Sequence, residues 1–142
     1  MRYLVLLVSF WALSGCAQSS DWYEGRWQVT DAKFPGVSAM GMEEAQVWFG
    51  SEVRYSKDEV SFRDEVCAEP SFSLSRLNEG EFYTHYRAGF QSLKIAGDSV
   101  EILNVSCPSE WTVPGATLIK ASDETAYVPW DGVFFKVTKI AD

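Results

Sequence analysis

Apolar and polar residues alternate in short segments along most of this chain. Val60 and Phe62 alternate with charged and polar neighbours, and Val133, Phe135 and Val137 repeat the pattern near the C-terminus. A period of two places these side chains on one face of a half-buried β-strand. Turn-forming residues (Gly, Pro, Asn and Asp) interrupt the alternation at short intervals, so the sequence predicts short antiparallel strands joined by tight turns.

The number and spacing of these segments predict an all-β fold. About eight to ten short strands at close spacing are typical of a single antiparallel β-barrel, and a β-sandwich is the alternative. We expect strands near residues 25–31, 51–56, 59–63, 71–77, 81–87, 90–95, 99–106, 116–121, 125–129 and 133–139.

One segment lacks the period of two and predicts a short helix after the first strand. It has the sequence SAMGMEEAQVWFG, in which Glu43 and Glu44 precede an apolar stretch that ends at Gly50. Acidic residues favour the first turn of a helix and glycine favours its end. We expect two helical turns that cap one end of the barrel.

The N-terminus is typical of an exported protein. Arg2 is the only charged residue among the first twenty, and an almost wholly apolar stretch follows it. A basic start, a short apolar run and small residues at its end indicate a signal peptide. The apolar run is shorter than the roughly 20 residues that a membrane-spanning helix needs.

The end of this apolar run matches a known processing motif, Leu13-Ser14-Gly15-Cys16. It resembles the lipobox of bacterial lipoproteins, in which the cysteine thiol receives a diacylglyceryl group and becomes the first residue after cleavage. The resemblance implies attachment to a membrane through lipid, since two or three acyl chains anchor a protein stably.

The same resemblance implies domain boundaries and a location. Residues 1–15 would be the signal peptide, 16–24 the lipidated cysteine and tether, and 25–142 the β-barrel domain. In bacterial lipoproteins, an aspartate directly after the lipidated cysteine resembles an inner-membrane retention signal. This chain has Ala17 at that position. We therefore expect the outer membrane, on its periplasmic face.

The net charge of the chain limits the classes of partner that it is expected to bind. The formal net charge is −8, and loss of Arg2 with the signal peptide leaves 11 basic residues against 20 acidic ones, about −9. A nucleic-acid partner requires a basic surface, so we expect none. The charge provides solubility or attracts a basic partner.

The remaining cysteines, Cys67 and Cys107, predict a disulfide. An even pair in an exported chain is normally oxidised, and closing a loop of about 41 residues would stabilise the fold by roughly 4 kcal/mol. A two-cysteine metal site is the competing interpretation. The single histidine, His85, is far from both cysteines in sequence, and we expect neither metal nor cofactor.

The first predicted strand begins with Gly25-x-Trp27. This motif resembles the glycine-x-tryptophan signature of lipocalins and related calycins. The resemblance implies that Trp27 closes the base of the barrel beneath a basic side chain from the last strand. Lys136 or Lys139 would supply it, although lysine stacks less well than arginine. An ordinary core tryptophan in another β-barrel or sandwich is the alternative.

A second resemblance concerns the combination of CAEPSF, WTVPGATLI and WDGVFF. These segments are similar to those of small uncharacterised secreted bacterial proteins. No activity follows from this similarity.

The sequence offers little for catalysis. Any Ser–His–Asp or Cys–His arrangement would depend on His85, which lies in the predicted strand 81–87 with no nucleophile motif nearby. The adjacent acids Glu43/Glu44 and Asp64/Glu65 are best explained as solvated charge. We expect a non-enzymatic protein.

Two non-enzymatic functions are consistent with the sequence. The 21 aromatic residues would line a cavity for a small apolar or amphipathic ligand, fill the barrel, or form a protein contact surface. We expect ligand binding in a lipocalin-like barrel. The alternative is a protein-interaction lipoprotein: an inhibitor of a periplasmic enzyme such as lysozyme, an immunity protein, or an envelope assembly accessory. The ligand site is unassigned.

Overall fold

The computed structural model describes residues 20–142. The predicted signal peptide, the lipobox-like motif with Cys16 and most of the predicted tether lie outside these residues. The strands are β1 (Gly25–Lys33), β2 (Glu52–Tyr55), β3 (Glu59–Phe62), β4 (Glu65–Ala68), β5 (Ser71–Asn78), β6 (Ser99–Ser106), β7 (Thr117–Lys120), β8 (Thr125–Trp130) and β9 (Val133–Ile140). The helices are α1 (Met42–Gln46) and α2 (Glu79–Tyr86), and a 3₁₀ turn spans Gln91–Leu93.

The nine strands form one antiparallel sheet in the order β4-β3-β2-β1-β9-β8-β7-β6-β5, which curls into a half-barrel. Consecutive strands pair with each other everywhere except between β4 and β5, and the first strand pairs with the last. This is the connectivity of an up-and-down barrel that lacks one pairing. The predicted all-β, single-sheet architecture is confirmed, with nine strands.

The two faces of the sheet carry separate apolar cores. Alternation along β9 sends Val133, Phe135 and Val137 into one core and Phe134 into the other. The first core joins side chains from both arms of the curl, so it occupies the inner face. The second lies on the outer face of β6–β9, beneath α2 and the 3₁₀ turn. The alternation predicted for β9 is therefore confirmed.

The gap between β4 and β5 is bridged by a covalent bond. Cys67 on β4 and Cys107, just after β6, form a disulfide with a Cα–Cα distance of 5.9 Å. The predicted pairing is confirmed. Because β4 and β5 share no ladder, this bond ties one edge of the sheet to the opposite arm.

The predicted strand at 81–87 is wrong, because this segment forms α2. Asn78 caps the helix: its side chain accepts a hydrogen bond from the Glu81 amide (2.9 Å), and the Glu81 carboxylate accepts one from the Asn78 amide. Phe82 and Tyr86 are four residues apart and lie on the same helical face, with ring centroids 4.7 Å apart. Such spacing satisfies a helical period as well as a period of two.

Three further elements differ from expectation. The predicted strand at 90–95 is instead the 3₁₀ turn, whose buried Leu93 covers the outer core. The short strand β4 was not predicted. Helix α1 lies between β1 and β2 as expected, but Met42–Gln46 is only five residues long. Among residues 20–142, no helix is long and apolar enough to cross a membrane.

Candidate functional site

The base of the half-barrel is built around Trp27. Its side chain is 0% exposed, and its indole Nε1–H donates a hydrogen bond to the carbonyl oxygen of Tyr23 at 2.9 Å. Tyr23 is itself buried, and its ring stacks on Phe72 of β5 with a centroid distance of 5.4 Å. The segment that precedes β1 therefore passes beneath the barrel and connects β1 to the opposite edge strand.

A basic side chain lies over Trp27, as the sequence predicts. Lys139 is the direct partner of Trp27 across the β1–β9 ladder, and its Nζ is 5.2 Å from the centroid of the Trp27 ring. The same Nζ donates a hydrogen bond to the carbonyl oxygen of Trp22 at 2.9 Å. Lys136, the other candidate, is an odd number of residues away on β9, so its side chain points to the other face of the sheet.

Gly25 provides the space for this lysine. Residues two apart on a strand share a face, and a Cβ built on Gly25 would lie 3.1 Å from Lys139 Cε. Gly25 also has a φ of +124°, which side chains rarely adopt. Gly25 and Trp27 thus act together: the glycine leaves room for the cation that covers the tryptophan.

The inner face of the half-barrel is filled with side chains. The fully buried members of the inner core include the large residues Trp27, Tyr55, Phe62 and Phe135. The Tyr55 hydroxyl crosses from β2 to donate a hydrogen bond to the Gly115 carbonyl in the β6–β7 loop at 2.7 Å. Side chains from the two arms therefore meet in the centre, where a ligand cavity would have to be.

The buried tyrosines of this core remain protonated. Burial, reinforced by the hydrogen bond of its hydroxyl to Asp21 Oδ2 (3.1 Å), raises the pKa of Tyr23 to about 12. Burial alone raises the pKa of Tyr55 well above the ordinary value. Neither group is suited to act as a base near neutral pH, and both are structural donors.

Two cavities among the described residues lie away from the packed inner core, one on the outside and one at the end of the barrel. A groove of about 440 Å³ separates the β1–α1 loop from the end of α2. Val37 is 99% exposed on one side of the groove, Tyr83 is 54% exposed on the other, and Phe134 forms part of its wall. A polar hollow of about 250 Å³ lies where the chain enters β1.

The groups considered for catalysis are dispersed. His85 is exposed on α2 rather than on a strand, and Glu43/Glu44 and Asp64/Glu65 are exposed on α1 and at the β3–β4 turn. Within residues 20–142, no three His, Cys, Asp or Glu side chains are grouped to hold a metal ion. In the part of the chain that the structure describes, the arrangement offers hydrogen bonding and apolar contact, but His85 and these carboxylates are not brought together.

Comparison with known proteins gives no relative: no family model, curated protein or solved structure matches this chain.

Proposed function

We propose that this chain is a non-enzymatic lipoprotein of the outer membrane, anchored on the periplasmic face through Cys16, that binds a protein partner through the outside of its half-barrel. The observation that carries the proposal is the packed inner face. A small-molecule site inside the barrel would require a preformed cavity of several hundred Å³ there, and Trp27, Tyr55, Phe62 and Phe135 fill that interior.

The solvent-exposed surface supports the same proposal. Large apolar side chains are exposed, including Val37, Val47, Val66 and Leu74. The negative charge favours a basic partner, whose association would be fast and sensitive to salt. An inhibitor, an immunity protein or an assembly accessory would each fit this description.

In-cell photo-crosslinking tests the proposal. A benzophenone amino acid is introduced at exposed Val37, Val47, Val66 or Leu74 of the full chain, with exposed, polar Lys57 as the matched control position. We expect at least one apolar position to form a discrete adduct with a basic protein that Lys57 does not form. Adducts at no apolar position, or equal adducts at Lys57, would contradict the proposal.

Ligand binding is the second candidate function. The geometry of Gly25, Trp27 and Lys139 favours it, because it matches what the calycin resemblance implies. A binding titration with a fluorescent fatty acid separates the candidates: saturable binding that Tyr55→Trp blocks by overfilling the interior would favour a ligand site.

A further inference from the structure

Strand β5 is the longer of the two edges of the sheet and has no partner on its outer side. Its eight residues pair with β6 in an uninterrupted register from Ser71↔Ser106 to Asn78↔Ser99. All its side chains except the half-buried Phe72 and Leu77 are exposed. Among residues 20–142, no strand pairs with its other edge.

The register identifies which backbone groups of β5 are free. The Val105 amide donates to Ala116 in the direction of β7, so residues at odd positions of β6 bond to β7 and those at even positions bond to β5. Because β5 and β6 pair odd with even, the amides and carbonyls of Phe72, Leu74 and Arg76 point outward. The Asn78 amide agrees with this assignment, since it bonds to the Glu81 carboxylate rather than to β6.

The usual protections of an edge strand are absent from β5. Edge strands are normally short, charged with lysine, interrupted by proline or bulged. Strand β5 has no proline, lysine or bulge, and its one charged side chain, Arg76, is paired with Glu101 at 3.0 Å. The other edge, β4, is only four residues long and is held by the Cys67 disulfide.

The side chains around β5 define the chemistry of a complementary strand. Leu74 is 47% exposed and lies directly opposite Leu103, so it projects on the inner-face side beside the gap. Exposed Glu69 precedes the strand, and exposed Glu79 and Glu81 follow it. A segment lying along β5 would therefore meet an apolar contact near its centre and negative charge at both ends.

We propose that β5 binds an extended segment of a basic partner protein by strand addition. The segment would bond to the outward groups of Phe72, Leu74 and Arg76, place an apolar side chain against Leu74, and carry cationic residues beyond both ends of the strand. Main-chain hydrogen bonds would provide affinity, and the side-chain contacts would provide specificity. The inference rests on the proposed function, because it names the surface and the chemistry of the partner.

The test uses full-length chain in a non-ionic detergent and a short peptide of alternating Val and Thr with lysines at both ends. We expect saturable binding that weakens with salt. Hydrogen exchange at the Phe72, Leu74 and Arg76 amides should slow by about tenfold or more when the peptide binds. A matched peptide with N-methyl groups on the bonding edge should bind about tenfold more weakly, the loss expected for about one hydrogen bond.

Two variants separate the backbone from the side chain. Leu74→Pro removes an outward amide and leaves the β6 ladder intact, so it should weaken binding by about tenfold or more and remove the exchange protection. Leu74→Ala keeps the amide, so it should weaken binding and retain the exchange protection. If circular dichroism shows that Leu74→Pro does not fold, the N-methylated peptide makes the same distinction in the unaltered chain.

Several outcomes would overturn the inference: no peptide binding, equal binding of the N-methylated peptide, or binding without protection at the three amides. Concentration-dependent protection in the chain alone would identify a second copy as the occupant, and would overturn the basic partner. Each of these results leaves the proposed function intact if crosslinking at Val37, Val47 or Val66 still captures a basic protein. Absence of an adduct at Leu74 as well as at these three positions contradicts the proposed function itself.

Discussion

Replacement of Trp27 by alanine should destabilise the protein more than almost any other single substitution. The side chain is completely buried, and its Nε1–H is bonded to Tyr23. Truncating a large buried aromatic costs about 3–5 kcal/mol. A domain of this size is stable by only about 5–15 kcal/mol, so Trp27→Ala should remove about a fifth or more of that free energy.

The contact with Lys139 can be measured separately by a double-mutant cycle. Lys139→Met keeps most of the apolar stem but removes the charge above the ring and the donor to Trp22. Combined with Trp27→Leu, it should give a coupling free energy of about 0.5–1 kcal/mol, the range of a cation–π contact that is not fully desolvated. Urea unfolding followed by far-ultraviolet circular dichroism avoids dependence on the tryptophan signal that the substitution removes.

Thr30, which is exposed on the same strand, supplies the control. Thr30→Ala should change the free energy of unfolding by less than about 0.5 kcal/mol. The reasoning would be refuted if Trp27→Ala cost less than about 1 kcal/mol. A coupling indistinguishable from zero would show that Lys139 only lies near the ring and does not stabilise it.

Four further predictions follow from the same structure. Cys67→Ala should lower the free energy of unfolding by about 4 kcal/mol under oxidising conditions and by much less in reductant, where only the buried packing of the sulfur is lost, measured by urea titration. Gly25→Ala should destabilise by at least about 1 kcal/mol more than Gly97→Ala, which also has positive φ but open space around it; equal losses would show that Lys139 does not need the space. Cys16→Ser should abolish labelling with a clickable palmitate and leave the precursor uncleaved, whereas persistent labelling would remove the lipoprotein assignment. The raised pKa of Tyr23 stabilises the fold below pH 10, and this stabilisation should be lost as the pH rises toward about 12. Tyr23→Phe should therefore lose less stability at alkaline pH than the unaltered chain, whose phenolate absorbance reports the ionisation of its tyrosines.

The strands that were predicted from sequence are those in which buried side chains recur at every second residue, on one face of the sheet or on both. Val60 and Phe62 alternate with polar neighbours that face away from the inner core. Val133 and Phe135 alternate with Phe134, which faces the outer core. The disulfide was also predictable, because the expected lipidation of Cys16 leaves only Cys67 and Cys107, and such a pair would be oxidised in an exported chain. For these strands and for the disulfide, a pattern in the sequence was sufficient for the prediction without knowledge of the tertiary structure.

Helix α2 was missed because its aromatic residues fit two periods at once. Phe82 and Tyr86 are separated by an even number and also by one helical turn, and the Asn78–Glu81 capping pair was the signal that would have distinguished them. The free edge of β5 could not be predicted from sequence at all. Whether a strand lies at an edge depends on the order of strands in the sheet, and no local pattern in this segment encodes it.

Native mass spectrometry of the full chain extracted gently from the envelope tests the central claim most directly. If the inner face is filled and the outside binds a protein, the chain should appear with its covalent lipid, with no retained small molecule, and in part as a complex with a basic protein that dissociates as salt is raised. A stoichiometric small molecule that leaves only when the chain unfolds would place a ligand inside the half-barrel and contradict the account.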